Sequence, residues 1–360
     1  MKKALILLNM GGPNNLSEVE LFLKNMFNDP FILGIKSGFW RSVLATLIVK
    51  SRAAAARSNY EKLGGRSPIC SITAALCGRV NELARAELGA GLKFEGASDA
   101  GTANEPSQDV SSQSKPSQEA QTQNEAPQDE KPIDELICDY AMNYTPPFAE
   151  DVFKKYADFD EIILMPLYPH FSKTTVQSSL CSAEAALKRL GIKNYKTIDI
   201  FYDSAAYNEI LLNLIASCVA KFSADEISQI SLIFSAHSLP VKMVAAGDPY
   251  EAQIKAHVEI LKDLLAARGI KFKEIILAYQ SRLGPVKWLE PNIADVLRDL
   301  QSKKALIFPI AFCVDNSETD FELDIFYRAR ARELDYEYYE VCKCPNSRED
   351  FAKFILAQAL

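Results

Sequence analysis

The chain has 360 residues, of which 48% are hydrophobic and 24% charged, a balance that lets a protein bury a large core in one large or two medium domains. Forty Lys and Arg against forty-seven Asp and Glu give a net charge of −7, with no basic face evident, so nucleic acid is excluded as an expected partner. The apolar run at residues 4–8 is too short for a signal peptide, and no segment reaches the roughly 18 apolar residues of a membrane span. We therefore expect a cytoplasmic protein.

Short apolar runs rich in β-branched residues alternate along the chain with longer segments of helical period. The runs predict strands at 4–9, 136–142, 161–166, 197–201, 231–236, 274–278 and 305–308. The longer segments predict helices at 17–26, 71–87, 175–190, 206–221, 249–268, 291–300, 318–333 and 347–359. Apolar strands separated by helices predict an α/β fold with parallel sheets covered on both faces.

The predicted fold divides into two doubly wound domains, 1–150 and 151–345, with a C-terminal helix within 346–360 that packs back on the first domain. Between residues 96 and 132, Val110 is the only Val, Ile, Leu, Met or aromatic residue. Such a segment cannot bury enough apolar area to offset the entropy of ordering it. We therefore predict a disordered insertion at 97–132.

Eight Cys residues are spread irregularly along the chain, which argues against a disulfide framework. Cys342 and Cys344 form the only close pair in sequence, and two thiolates do not complete a zinc or iron–sulfur site. The alternative is that Cys70 and Cys77 join this pair and complete a cluster. We expect no iron–sulfur cluster.

Parallel α/β sheets bind ligands at the carboxyl ends of their strands, and unusual residues follow several of the predicted strands. The glycine turn at 9–13 follows the first, without the spacing of a dinucleotide site or a P-loop. A second glycine-rich stretch, at 60–68, offers a serine, cations and backbone N–H groups that suit an anion. The alternatives are that the first stretch is an ordinary turn and the second an ordinary surface loop.

The chain contains only three histidines. His237 follows the predicted strand at 231–236, where an imidazole has little reason to serve core packing and is suited to accept a proton or bind a metal. His170 also follows a predicted strand. It could face a ligand or be an ordinary loop residue. His257 lies beside the apolar stripe of a predicted helix and is expected to be a structural residue at the edge of the core.

Three carboxylates, Asp315, Glu318 and Asp320, lie where the predicted helix at 318–333 begins. They are suited to bind a cation or move protons, but Ser317 and Asp320 could instead form a capping box. Tyr279 and Trp288 could share one cleft, and Phe39, Trp40 and Leu44 could line another wall or pack in the core. An aromatic cleft with a histidine, a carboxylate and flanking cations indicates a large flat ligand bearing acids.

These residues resemble the ferrochelatase family, which inserts ferrous iron into porphyrin. The resemblance rests on six ordered motifs at 7–13, 60–68, 164–169, 235–240, 284–289 and 318–324. It implies two similar Rossmann-like domains, each a four-stranded parallel sheet flanked by helices, with the active site in the cleft between them. The insertion at 97–132 is foreign to the usual pattern.

The resemblance implies that His237 and Glu318 are the catalytic and metal-contacting residues and that they face each other across the porphyrin. It also implies porphyrin contacts at Met10, Arg52, Tyr60, Ser67, Tyr144 and Trp288. Two departures from the family pattern concern the route of the metal, since Asn316 replaces a usual histidine and Asn143 a usual arginine.

The expected reaction is insertion of Fe²⁺ into protoporphyrin IX to form protohaem, the last step of haem synthesis, with no cofactor beyond the substrate iron. Alternatives are coproporphyrin as substrate, a cobalt or nickel chelatase of the same fold, and a porphyrin carrier without turnover. We expect a monomer whose partners are small molecules. Peripheral contact with the inner membrane is left open.

Overall fold

The computed structural model describes residues 1–91, 132–282 and 284–360. The predicted disordered insertion at 97–132 therefore lies, except for Pro132, outside the described residues. The described strands form two four-stranded sheets in which all neighbouring strands run parallel. The strands are β1 (Lys2–Asn9), β2 (Glu135–Met142), β3 (Glu161–Pro166), β4 (Tyr195–Thr197), β5 (Ser231–His237), β6 (Glu274–Gln280), β7 (Lys304–Phe308) and β8 (Tyr338–Val341).

The two sheets have the same strand order, β2-β1-β3-β4 and β6-β5-β7-β8. The central strand β1 is buried at every residue except Lys2, and Leu5 is paired with Cys138 on one side and Ile163 on the other. β5 takes the equivalent place in the second sheet and is buried from Ser231 to Ala236. Strands that are apolar on both faces require helices above and below them, and the predicted α/β fold is confirmed.

Helices alternate with the strands along the chain. They are α1 (Val19–Asn28), α2 (Pro30–Leu33), α3 (Gly38–Lys62), α4 (Ile69–Gly91), α5 (Ala149–Phe153), α6 (Ser178–Leu190), α7 (Ala205–Val219), α8 (Ala224–Ile227), α9 (Val241–Ala245), α10 (Tyr250–Ala267), α11 (Ile293–Asp299), α12 (Arg328–Glu333) and α13 (Glu349–Ala357). Two π-helical segments, Lys173–Gln177 and Glu318–Tyr327, precede α6 and α12. None of the helices in the described part of the chain combines the length and apolar character needed to cross a membrane.

Three details of the predicted organisation are wrong. The first sheet includes β3 and β4, so the division between the sheets falls after Thr197 and not near residue 150. The predicted strand at 197–201 is shifted, because β4 pairs with β3 only through Tyr195–Thr197 and the chain then leaves the sheet. The edge strand β8 was not predicted, because four residues carry too short a pattern.

The two halves share one continuous core. Leu5 and Leu7 of β1 belong to the same buried cluster as Phe234 of β5 and Phe308 of β7. The last helix, α13, contributes Phe351 to this cluster and packs against α4 and α7. The two sheets are therefore joined through a shared buried core.

Candidate active site

A cleft of about 910 Å³, including space open to solvent, lies at the carboxyl ends of the central strands of both sheets. The segments that follow β1, β3, β5 and β7 all contribute to its wall. The lining residues are Asn9, Met10, Met26, Ile32, Tyr144, Leu167, Tyr168, His170, Ser172, Thr174, Thr175, His237, Leu239, Tyr250, Ala311, Phe312, Cys313, Val314, Asn316 and Glu318. Most of this wall is apolar, which suits a large flat ligand.

The glycine turn after β1 brings Met10 to the cleft. A Cβ on Gly11, whose φ is +82°, would lie 2.4 Å from Thr145 Oγ1, and a Cβ on Gly12 would lie 2.6 Å from Ser67 Oγ. The Gly12 N–H donates to Thr145 Oγ1 at 3.1 Å. A side chain at either position would clash, so close packing requires both glycines. The closely packed turn holds Met10 against the cleft.

His237 and Glu318 are in direct contact in the cleft, with 2.8 Å between His237 Nδ1 and Glu318 Oε2. The histidine ends β5 and the glutamate begins the π-helix Glu318–Tyr327. Their side chains are 38% and 20% exposed. The expectation that they face each other across a porphyrin is wrong for this structure, because a hydrogen-bonded pair leaves no space for a ring between its members.

The Glu318 carboxylate adjusts the protonation of His237. Burial opposes the charged imidazolium, but the negative charge and the hydrogen bond of Glu318, with a further contribution from Glu322, raise the pKa of His237 above its ordinary value. An imidazole with a raised pKa and an exposed edge can take a proton from a bound molecule near neutral pH.

The start of the helix that carries Glu318 is stabilised by Asn316. The Glu318 N–H donates to Asn316 Oδ1 at 2.8 Å, and Asn316 Nδ2 donates to Val314 O at 3.2 Å. The capping box expected from Ser317 and Asp320 does not form, because the Ser317 side chain makes no cap bond and Asp320 accepts from Lys343 at 2.7 Å. Asn316, and not a Ser317–Asp320 capping box, therefore holds the backbone at the start of this helix.

Glu322 extends the acidic site, and the sequence motifs gave it no role. It lies one turn beyond Glu318, and Ser281 donates to it through the backbone N–H at 2.9 Å and through its hydroxyl. Burial and the charge of Glu318 raise the pKa of Glu322 to about 6. The four-residue spacing of the two glutamates, which places both on one helical face, is the sequence signal that could have revealed it.

The two other histidines form a buried pair. His170 lines the cleft and is 1% exposed, and its Nε2 lies 2.9 Å from Nδ1 of His257. His257 was expected at the edge of the core but is completely buried, because α10 presents it to α7 as well as to the segment after β3. His170 therefore lies against the ligand site, and His257 behind it.

The predicted porphyrin-binding residues differ in their positions. Met10 and Tyr144 line the cleft, and the Tyr144 hydroxyl donates to Asp29 Oδ2 at 2.7 Å. Tyr60 and Ser67 are buried beside the cleft, and the Tyr60 hydroxyl donates to Ser317 Oγ at 3.4 Å. Arg52 is exposed on α3.

The two aromatic residues expected in one cleft, Tyr279 and Trp288, do not line it. Tyr279 is completely buried, and Trp288 is half-buried where its backbone bridges to Pro240. Phe39 and Trp40 neither line the cleft nor pack in the core: they are 70% and 64% exposed on α3, and Leu44 is also exposed. Together with Val43 and Leu47, these three residues form an exposed apolar strip on α3.

In residues 1–91, 132–282 and 284–360, no group of three or more His, Cys, Asp and Glu side chains is arranged to hold a metal ion. Cys342 does not pair with Cys344, because its thiol contacts Cys218 of α7, with 2.7 Å between the sulfurs.

The chain is similar in sequence to proteins of one family. The sequence profile of the Ferrochelatase family matches residues 2–101 and 101–359. The chain is 50% identical over 356 residues to a protein named ferrochelatase from Campylobacter fetus subsp. fetus, covering 99% of this chain and 98% of the relative. Proteins of the same name from Campylobacter concisus and Sulfurimonas denitrificans are 45% and 39% identical, over 100% and 99% of this chain and 98% and 97% of their own lengths.

Proposed function

The chain belongs to the ferrochelatase family, whose enzymes insert ferrous iron into a porphyrin in haem synthesis, and we propose that His237 and Glu318 carry out this reaction with protoporphyrin IX as the substrate. The observation that carries the proposal is the 2.8 Å contact between the two side chains in an otherwise mostly apolar cleft. Metal insertion requires a base where the pyrrole nitrogens lie, and this pair provides one.

The contact with Glu318 determines which nitrogen of His237 accepts the proton. When the imidazole is neutral, its Nδ1–H donates to the Glu318 carboxylate, and Nε2 keeps a free lone pair. A pyrrole N–H can then transfer its proton to Nε2, and the carboxylate stabilises the imidazolium that forms. Glu318 thus orients the base and balances its new charge, as carboxylates do for other catalytic histidines.

Glu322 is positioned to take part in the second proton transfer. A free-base porphyrin loses two protons when iron enters, and one imidazole holds only one of them. Because the pKa of Glu322 is about 6, this carboxylate exchanges protons readily near neutral pH. We assign Glu322 the role of accepting the first proton from the His237–Glu318 pair and releasing it before the second transfer.

The cleft wall binds the flat face of the porphyrin. Met10 and Tyr144 supply apolar contact from the first half of the chain, as Leu239 does from the second. Arg52, Tyr60, Ser67 and Trp288 are proposed to act at the edge of the ring, where its carboxylates need cations and hydroxyl donors. Burial raises the pKa of Tyr60 to about 12, so its hydroxyl stays protonated and able to donate.

The porphyrin is identified by an anaerobic assay with Fe²⁺ and either protoporphyrin IX or coproporphyrin. We expect the higher kcat/KM with protoporphyrin IX. A preference for coproporphyrin would overturn the choice of substrate while leaving the assignment of His237 and Glu318 intact. The same assay with Co²⁺ or Ni²⁺ tests the alternative metals, for which we expect lower turnover than with Fe²⁺.

We also propose that the enzyme needs no cofactor beyond its substrate iron and acts as a cytoplasmic monomer with peripheral membrane contact. The pairing of Cys342 with Cys218, and not with Cys344, supports the absence of a cluster. The membrane contact is supported by the exposed apolar strip on α3, which consists of Phe39, Trp40, Val43, Leu44 and Leu47. Iron analysis of the purified protein and its sedimentation equilibrium test the cofactor and the oligomeric state.

A further inference from the structure

Three side chains form a hydrogen-bonded chain that begins behind the cleft and ends in its wall. Asn208 Oδ1 lies 2.8 Å from His257 Nε2, and His257 Nδ1 lies 2.9 Å from His170 Nε2. Asn208, His257 and His170 are all almost completely buried. They come from α7, from α10 and from the segment after β3, so the chain joins three elements.

The first member of this chain has a fixed orientation. Asn208 Nδ2 donates to two backbone carbonyls, Tyr202 O at 2.8 Å and Ser204 O at 2.9 Å. An amide nitrogen only donates, so the opposite end of the amide, Oδ1, must accept from His257. The Asn208 side chain cannot be rotated by half a turn without losing both carbonyl bonds.

This orientation determines the tautomers of both histidines. Since Asn208 accepts, His257 Nε2 carries a hydrogen and His257 Nδ1 has a lone pair. That lone pair accepts from His170 Nε2, which therefore carries the hydrogen of the second ring. His170 Nδ1 is left as an unprotonated nitrogen, and it is buried with no hydrogen-bond partner in the described part of the chain.

An unpartnered buried nitrogen requires an explanation, because desolvating it without a bond costs free energy. A role as a proton acceptor does not fit, since the chain ends at an amide that cannot pass a proton on, and burial lowers the pKa of His170 well below its ordinary value. The ring is therefore a permanent electron-pair donor that stays neutral near pH 7.

His170 shares one feature with metal-binding histidines. Such histidines donate their other ring N–H to a fixed acceptor, which sets the tautomer and the ring orientation, and His257 does this for His170. Neutral imidazole suits ferrous iron. His170 lines the same cleft as His237 and Glu318 but enters it from the first sheet, whereas His237 ends a strand of the second.

We propose that His170 binds ferrous iron through Nδ1 in the wall of the cleft, before the iron reaches His237 and Glu318. The inference rests on the proposed function in that iron is the substrate of the cleft. A site with one protein ligand holds the metal weakly, which is what a cargo that must move on requires. The segment after β3 thereby takes part in metal delivery.

Steady-state kinetics of His170→Gln test this role. The Gln amide can still donate to His257 and so preserve the hydrogen-bonded chain, but it lacks the imidazole lone pair. We expect KM for Fe²⁺ to rise by about tenfold or more, with KM for the porphyrin unchanged. The matched control is Tyr202→Phe, since Tyr202 stacks on the His170 ring with 5.4 Å between the ring centroids; its KM for Fe²⁺ should stay that of the wild type. Equal changes in both KM values of His170→Gln would overturn the proposal.

A second measurement does not depend on turnover. Because the chain has only three histidines, ¹⁵N-labelled histidine gives a spectrum that can be assigned by substitution. In the His237→Ala/Glu318→Gln double variant, we expect His170 Nδ1 to resonate as an unprotonated nitrogen and to shift when Zn²⁺ is added without porphyrin. A protonated Nδ1, or an unchanged resonance at saturating Zn²⁺, would refute the inference.

These experiments distinguish a failure of the proposed function from a failure of metal binding by His170. A wild-type protein that fails to insert iron into either porphyrin, while His170 Nδ1 still responds to Zn²⁺, would contradict the proposed function alone. Normal insertion with a silent Nδ1 would contradict the inference alone.

Discussion

His237 Nδ1 lies 2.8 Å from Glu318 Oε2, so a histidine at the end of β5 and a glutamate at the start of a π-helix form one acid–base unit. The two residues are 81 positions apart in the chain. Their contact exists because the segment after β7, the strand next to β5, leads directly into that helix. The chemistry of the site depends on this pairing.

Replacement of His237 by alanine should abolish metal insertion while leaving the fold intact. The side chain is 38% exposed and contributes little to the core. We expect less than about a tenth of the wild-type kcat, a barrier increase above about 1.4 kcal/mol, with an unchanged melting temperature. Higher residual turnover in an anaerobic iron assay would contradict the role of proton acceptor.

Replacement of Glu318 by glutamine keeps the shape of the side chain but removes its charge and basicity. If the carboxylate orients and balances His237, kcat should fall by roughly 10²-fold or more. A role limited to the helix N-terminus predicts instead a stability loss of about 0.3–1 kcal/mol with turnover spared. Parallel kinetics and thermal unfolding separate the two, and the second pattern would disprove the catalytic assignment.

Asn316 should be required to position Glu318. Asn316→Ala removes the oxygen that accepts from the Glu318 N–H, so we expect a stability loss of about 1 kcal/mol, the usual value for a lost helix cap, together with a lower kcat. Asn316→Asp is the matched control because it keeps an acceptor oxygen. Denaturant unfolding and kinetics should show Asp closer to wild type than Ala, and the reverse order would exclude the positioning role.

Glu322 should make stability fall as pH rises from about 4.5 to about 6. The pKa of its carboxyl is about 6 in the folded protein against an ordinary value of 4.5 in the unfolded chain, so the native state binds more protons in this interval and loses stability as they dissociate. Glu322→Gln should remove this loss and gain up to about 2 kcal/mol at pH 7 relative to its effect below pH 4.5. Urea unfolding as a function of pH measures it, and an unchanged pH profile would contradict the raised pKa.

The exposed apolar strip on α3 should bind membranes. Phe39→Ser and Trp40→Ser remove its two most exposed aromatic rings without disturbing the core, so thermal stability should stay that of the wild type. We expect weaker cosedimentation of the double variant with phosphatidylethanolamine–phosphatidylglycerol vesicles. Leu360→Ser, which alters an exposed apolar residue outside the strip, is the control, and equal binding of the two variants would contradict the proposed membrane contact.

The local pattern of the sequence was enough to predict most elements of the fold. The strands β1, β3, β5 and β7 are apolar on both faces, and burial of such runs is possible only in a covered parallel sheet. The same pattern placed His237 at the end of a strand, and so at the ligand-binding edge of a sheet. Hydrophobic burial is a property of short segments, which is why it can be read without the tertiary structure.

The relations between segments were decided only by the tertiary structure. The order of the strands places β3 beside β1 and β4 beside β3, which moved the boundary between the halves from residue 150 to beyond Thr197. The contact of His237 with Glu318 and the hydrogen-bonded chain from Asn208 to His170 join residues distant in sequence. Hydrogen bonds between side chains and the protonation of a buried ring depend on differences of a few tenths of an ångström in the distances between atoms. Periodicity and composition carry no information at that scale, so these features required the folded chain.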